Sequence, residues 1–567
     1  MIRPNTSPFT RASILRCLIA SAALFPSAAF AATDGAAKQH EARPQNSHGW
    51  TAIIDGKDVA APETYMGDEV IVRAILDEGK NRNQVMDHLT YLSKDIGHRL
   101  TGSTAVERAN HWCRENYEKW GLSNPHIEQF GTIATRFDRG PSSANVLLRK
   151  ETKKDDDSVV VEYESQRNCE LTTMAWAAGT NGPLRGHIVK VPKDDEQYAA
   201  VKDELKGAWI LMEAPPPVGQ RGIRGRAGAQ YDARKDARRK VAQGIDPKTL
   251  SIVERLALED VAGYITTSRD ERVWTGAIPG WRELDADNIP PDVNVQVRLS
   301  DYDFINSRIA DGEPYAFEAN LQHTFTKGPI PVYNTIAEIR GTDFPDEVII
   351  ISAHLDSWDG PGSEGCTDNG TGTAVTLEAA RILAAVGAKP RRTIRFINWT
   401  GEEQGLLGSK AWIDLHKDEL PKISAVFVDD GGTNYESGVG CIDTMVDLMA
   451  AATAPTNYAF QTQADGWLNV NVRKTGKKIP GGGGSDHASF NAQGVPGFFW
   501  AEDKGTANYS HGWHTQHDTL DLAVPEYLLQ SSTNAAIVAY RLACAPTMLP
   551  REIKEEEKQP EPAKTSP

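Results

Sequence analysis

Residues 347–383 read EVIIISAHLDSWDGPGSEGCTDNGTGTAVTLEAARIL. The stretch opens as an apolar, β-branched run of strand length and closes as a helix beginning near Thr373. Between them lies a glycine-rich loop holding His354, Asp356 and Asp368. A short, wholly apolar strand is the kind buried on both faces, as in a parallel sheet covered by helices. Further short runs of this type follow: TIRFINW (393–399), SAVFVDD (424–430) and PGFFWAE (496–502), with helical stretches between them. The alternation predicts an α/β fold, a mostly parallel sheet flanked by helices.

The polar clusters share one position: each sits just past the carboxyl end of a predicted strand. The first run leads into His354 and Asp356, the second into Glu402 and Glu403, the third into Asp429 and Asp430. In an open α/β sheet the carboxyl ends of the strands are where ligands bind, so groups remote in sequence converge there. Several carboxylates grouped at one edge repel one another unless a cation neutralises them. Imidazoles with carboxylates, and no thiolate cluster, form a zinc donor set of the catalytic type. The acids suffice for two ions, with Asp368 as the natural bridge. Gly365 and Gly370 give its loop freedom. The run PGGGGSDH (480–487) lacks the Gly-Lys-Ser/Thr ending of a phosphate loop.

The rest of the chain bounds the reading. Of 567 residues, 40% are hydrophobic and 24% charged, as in a soluble globular protein long enough for more than one core. A formal charge of −16 argues against a nucleic-acid binder. Residues 1–31 read as a signal peptide: Arg3, Arg11 and Arg16 precede the apolar run CLIASAALF, and the small residues after it end in Ala29-Phe30-Ala31. Its removal takes three arginines and no acid, shifting the charge from −16 to −19. An exported, periplasmic or extracellular protein without a membrane span is expected. Export leaves Cys113, Cys169, Cys366, Cys441 and Cys544, with room for one or two disulfides.

Residues 32–63 read as a loose leader and 64–140 as the first part of the catalytic domain, with a capping box expected from Thr104 and Glu107. From about 141 to 325 the texture becomes β-rich. SANVLLRK and SVVVEYES flank the charged turn ETKKDDD as a hairpin. The basic run 221–240 reads as a solvated loop and helix face. Residues 326–545 carry the main α/β pattern, and the charged, Pro-rich 546–567 reads as a disordered tail.

The order HLDSWD … TDNGTG … WTGEEQGLLGS … SAVFVDDGG … SDHASF … HTQHDT resembles the co-catalytic zinc exopeptidases of the aminopeptidase Y and carboxypeptidase Q type. HLDSWD and PDEVIIISA are most similar to the carboxypeptidase Q branch. The resemblance covers about residues 64–140 and 326–545, and 141–325 is similar to that branch's protease-associated insert in position and strand pattern. It implies two Zn2+ per chain, held by His354, Asp368, Glu403, Asp430 and His514, with Glu402 as general base. Asp430 is selected over Asp429 by the pattern A-V-x-x-x-D, and His514 over His511 and His517 by His-Thr-x-x-Asp-Thr. Asp356 is expected to accept a hydrogen bond from the His354 imidazole, and Asp518 to hold its own loop through local backbone N–H groups. Cys366, two residues before the bridge, and Asn369 after it depart from the pattern.

The resulting expectation is an exported dizinc exopeptidase acting on a peptide or dipeptide. Aminopeptidase action is the first choice and a carboxypeptidase Q-like dipeptidase the alternative. A glutaminyl cyclase-like acyltransferase and an inactive binding protein are the readings from other classes. A homodimer is compatible with the sequence, which does not give the oligomeric state.

Overall fold

The quoted apolar run forms the strand Phe344–His354, buried continuously from Val348 to His354. The computed structural model describes residues 43–214, 236–460, 469–502 and 507–551. In it this strand lies between two parallel neighbours, Arg392–Trp399 and Ile423–Val428, with Gly497–Glu502 parallel beyond the latter. Register is the point that matters for the site. His354 stands opposite Trp399, and Ser352 opposite Val428. Three carboxyl ends therefore stop at one level, and the loops that follow them share one edge.

The sheet continues both ways. Beyond Gly497–Glu502 come Glu436–Cys441, Asn471–Lys474, Thr51–Ile54 and Lys57–Ala60. On the other side Tyr315–Ile339 runs antiparallel to Arg392–Trp399. The helix Thr371–Ala385 is buried from Thr371 to Leu383. It packs against the sheet, the N-terminal helices and the helix Pro525–Cys544. Its small residues, Ala374, Ala379 and Ala380, permit the close approach. Arg381 on this helix pairs with Glu378 and with Glu78 of the helix Glu69–Asn81, both at 2.8 Å, so its buried charge is matched.

The hairpin expected around ETKKDDD is present: Ser123–Lys153 pairs antiparallel with Val159–Cys169. Within 141–325, Leu184–Lys190, Trp209–Leu211, Gly263–Thr267 and Asn294–Val297 form a parallel set. Trp209, Ile265, Val295 and Phe317 make its core. The long strand Tyr315–Ile339 pairs with both Leu184–Lys190 and Arg392–Trp399, so one strand serves both regions.

Four expectations are corrected. Residues 51–60 are not a loose leader but two strands at the sheet edge, anchored by the fully buried Trp50. The helix Thr104–Lys119 is capped by Ser103, whose hydroxyl accepts from the Val106 N–H at 3.2 Å. Thr104 and Glu107 turn instead to Asp138 and Arg136. All five cysteines expected to remain after export are free thiols. The start of the expected tail is ordered, since Leu549 is buried and its N–H donates to Ser424. Residues 1–42, 215–235 and 552–567 lie outside the described residues, and with them the signal peptide, most of the basic run and the rest of the tail. Among the described residues no helix is long and apolar enough to cross a membrane.

Candidate metal centre

His354 is the last residue of its strand and fully buried. Its Nδ1 lies 2.9 Å from the main-chain oxygen of Asp356. The Asp356 carboxylate is farther, at 3.7 Å. The expected partner residue is right, but its backbone is the nearer acceptor. That contact turns Nε2 toward Asp430 Oδ1 at 3.2 Å and Asp368 Oδ1 at 3.4 Å. The freed Asp356 carboxylate accepts from Thr101 at 2.9 Å and from the main-chain N–H groups of Glu402 and Glu403, each at 3.3 Å. It thus fixes the loop carrying the Glu pair. Gly401 has φ of +85°, a conformation a side chain disfavours, and starts that turn.

The second group forms around His514, whose Nε2 lies 3.1 Å from both Asp368 Oδ2 and Glu403 Oε2. Asp368 belongs to both groups, one oxygen facing each imidazole. The donor atoms of His354, Asp368 and Asp430 lie within 4.8 Å of one another, as do those of Asp368, Glu403 and His514. A tetrahedral ion with bonds of about 2.0–2.1 Å to nitrogen and oxygen sets its donors roughly 3.3 Å apart. The 3.1–3.4 Å contacts match that span. Glu403 Oε1 is buried without a hydrogen-bond donor, as an atom meant for a cation would be. The residues present fit zinc.

The electrostatics agree. Burial works against a charge on His514, but Glu403 and Asp368 outweigh it and hold the imidazole up at about 9. Burial likewise opposes, and Asp430 leads in reversing, the shift that carries His354 well above its ordinary value. Burial, then Asp368, raise Glu403 to about 7. Burial raises Asp368 too, yet the hydrogen bonds from His354 and His514 pull it well below the carboxylate range. Glu402 is pushed well above its ordinary value by burial, with Asp430, Glu403 and Asp486 adding to the effect. Positive charge is wanted at both groups.

Supporting residues explain the two departures from the family pattern. Asn369 uses its carboxamide to bind the Asp429 main-chain oxygen at 2.7 Å and the Gly372 N–H at 2.9 Å. An acid there would lack the donor for the first of these. Cys366 is a buried thiol, its pKa raised by that burial, so it adds no anion. Asp518 does not hold its own loop. It accepts from the Thr367 N–H at 2.5 Å and hydroxyl at 2.8 Å, and so anchors the loop of Asp368. His511 and His517 stack on each other at 4.7 Å and belong to neither group. Asp429 also lies outside both.

Other groups beside the centre escaped the sequence reading. A cleft of about 860 Å³ opens beside Glu403 and His514. Its wall includes Trp274 and Trp281 from the 141–325 region, with Gln404 and Trp513. That region also grips the site. The Thr275 N–H donates to the His514 carbonyl at 3.0 Å, Val273 N–H to Gln516 Oε1 at 2.8 Å, and Arg282 to the Gln404 carbonyl at 2.7 Å. No motif marks this segment in the sequence.

Residues 334–539 match the model of Peptidase family M28. Carboxypeptidase Q of Mus musculus is 26% identical over 487 residues, covering 85% of this chain and 91% of that protein. Aminopeptidase YwaD of Bacillus subtilis (strain 168) is 30% identical over 227 residues, 39% of this chain and 47% of that protein. The crystal structure of a Peptidase M28 precursor from Shewanella amazonensis SB2B shares the fold, with a TM-score of 0.54 at 22% identity, covering 86% of this chain and 99% of that one. With the donor set above, these likenesses define a zinc-dependent exopeptidase, a hydrolase. The match to the model of peptidase family M28 spans residues 334–539, the segment that carries both donor groups.

Proposed function

We propose that the chain is an exported exopeptidase that holds two zinc ions and removes the N-terminal residue of short peptides. The observation that carries the two-ion reading is Asp368, which offers one oxygen to each imidazole-containing group. His354 and Asp430 would hold one ion, Glu403 and His514 the other. When bound, the ions supply Lewis acidity, which polarises a peptide carbonyl and eases deprotonation of water.

The chain's own groups do the rest. Glu402 takes the proton of the attacking water and returns it to the leaving amine. Burial and its acidic neighbours raise its affinity for a proton, which suits it to accept one from the water. Asp356 holds the Glu402 main chain in place. Residues 141–325 act as an insert that walls the site.

A dipeptidase is the second reading, favoured by the likeness to carboxypeptidase Q over 85% of the chain. Zinc content of the purified protein, followed by a dipeptide panel with free and blocked termini, separates the readings. Tolerance of a blocked C-terminus supports the aminopeptidase, and a need for both free termini supports the dipeptidase. Fewer than two zinc ions in the active protein overturns the two-ion assignment. N-terminal sequencing of exported material beginning at Ala32 tests the signal peptide.

A further inference from the structure

The cleft beside the centre has more built into it than access requires. Gln404 follows Glu403 directly and is 8% exposed, yet both carboxamide atoms are buried without a partner. Leaving a buried amide donor and acceptor unmatched is costly unless something arrives to pair with them. A peptide unit offers the complementary pair, one N–H and one C=O. Gln404 is held from behind, since its own carbonyl accepts from Arg282 at 2.7 Å.

Tryptophans line the same cleft. Trp513 stacks on the His514 ring at 3.9 Å, Trp358 meets that ring edge-on at 6.1 Å, and Trp274 meets Trp513 edge-on at 6.3 Å. The Arg269 guanidinium covers the Trp274 ring at 3.9 Å, bracing it from the cleft's rim. Trp274 and Trp358 each have a buried indole N–H without an acceptor. The rings that line the cleft offer a large side chain contacts that a methyl group cannot use.

We propose that this cleft is the substrate subsite next to the reacting bond, in which the Gln404 carboxamide pairs with a main-chain amide of the peptide and the wall of Trp274, Trp358 and Trp513 takes a large apolar, best aromatic, side chain. The inference rests on the exopeptidase reading and adds its substrate class: short peptides with an aromatic residue beside the cleaved bond. Part of that selectivity comes from outside the M28-matching segment, since Trp274 precedes residue 334.

The test compares Ala-Ala, Ala-Phe and Phe-Ala on the zinc-loaded protein, together with the reduced-bond analogue of each in calorimetric binding. One phenylalanyl dipeptide should exceed Ala-Ala at least about tenfold in kcat/KM, the scale of apolar pocket discrimination. Trp274→Ala and the milder Trp274→Leu should shrink that ratio several-fold at unchanged zinc content. Gln404→Leu, with Gln404→Met as the closer isostere, should lower kcat/KM for all three substrates by roughly 5–100-fold and leave the ratio intact. Equal rates on the three dipeptides, or an unchanged ratio in both Trp274 variants, overturn the subsite. If no dipeptide is cleaved, the function reading falls, and binding of the analogues decides the subsite alone. Phenylalanyl preference lost in Trp274→Ala supports it, and no preference overturns it.

Discussion

The two regions that meet at the cleft are built on opposite plans. From 334 to 539 the site is a consequence of register: parallel strands end together, and the next residues of each chain segment are the donors. From 141 to 325 no residue enters either donor group among the described residues, yet main-chain hydrogen bonds from Val273 and Thr275 hold the His514 segment. The first region supplies charge, and the second supplies shape. A substitution in the first should change chemistry with the fold intact. One in the second should change stability or selectivity with the ions retained.

The largest effect tests the shared donor. Asp368→Ala removes the one carboxylate common to both groups, which would leave the two proposed ions without their common anion. Activity should fall to background with at least one zinc lost. Two tightly held ions per chain, measured by elemental analysis, would defeat the bridging assignment. His514→Ala should also lose metal, while His517→Ala keeps both ions and near-normal kcat, and His511→Ala acts mainly on substrate affinity. The opposite pattern would move the ligand three residues along.

Glu402→Gln sharpens the contrast between holding metal and doing chemistry. It should keep both ions while turnover drops about 10²–10⁴-fold, the range for general acid–base help. Near-wild-type kcat with full zinc would remove Glu402 from the mechanism.

The next substitution acts on the seam between the regions. Arg139 and Asp359 pair at 2.9 Å with both side chains 1% exposed, and Arg139 also donates to the Thr173 carbonyl at 3.0 Å. Arg139→Met strands the Asp359 charge, and chemical denaturation should show a loss of about 3–5 kcal/mol. Zinc content and kcat of the folded fraction should stay near wild type. Unchanged stability would mean the seam is not held by this pair.

The smallest effect is a pH dependence away from the centre. Hydrogen bonds to Glu128 and Glu419 raise His416 from 6.5 to about 9. A raised pKa stabilises fully below about 6.5, and the gain disappears as pH climbs through about 9. The ring is partly exposed, so solvent weakens the effect. The melting-temperature gap between wild type and His416→Gln should narrow from pH 6.5 to 9.5, and a widening gap would reverse the sign.

The sequence determined what depends on residues a few positions apart. An apolar strand, the polar residues at its end and the helix after it were legible because strand and helix periods are local. So was the hairpin at 154–158. The family resemblance, rather than any local period, pointed to His354, Asp368, Glu403, Asp430 and His514, which stand together in the two candidate groups. Tertiary structure decided what depends on approach between distant segments. Whether Asp356 offers its backbone or its carboxylate to His354 follows from Thr101 and the Glu402 loop competing for the same oxygens. Asp518 reaches Thr367 across 151 positions, and Arg282 reaches Gln404 across 122. The tryptophan wall has no period and no spacing, since its members come from separate loops. Only packing brings them to one cleft, and only there does an unpaired glutamine become visible.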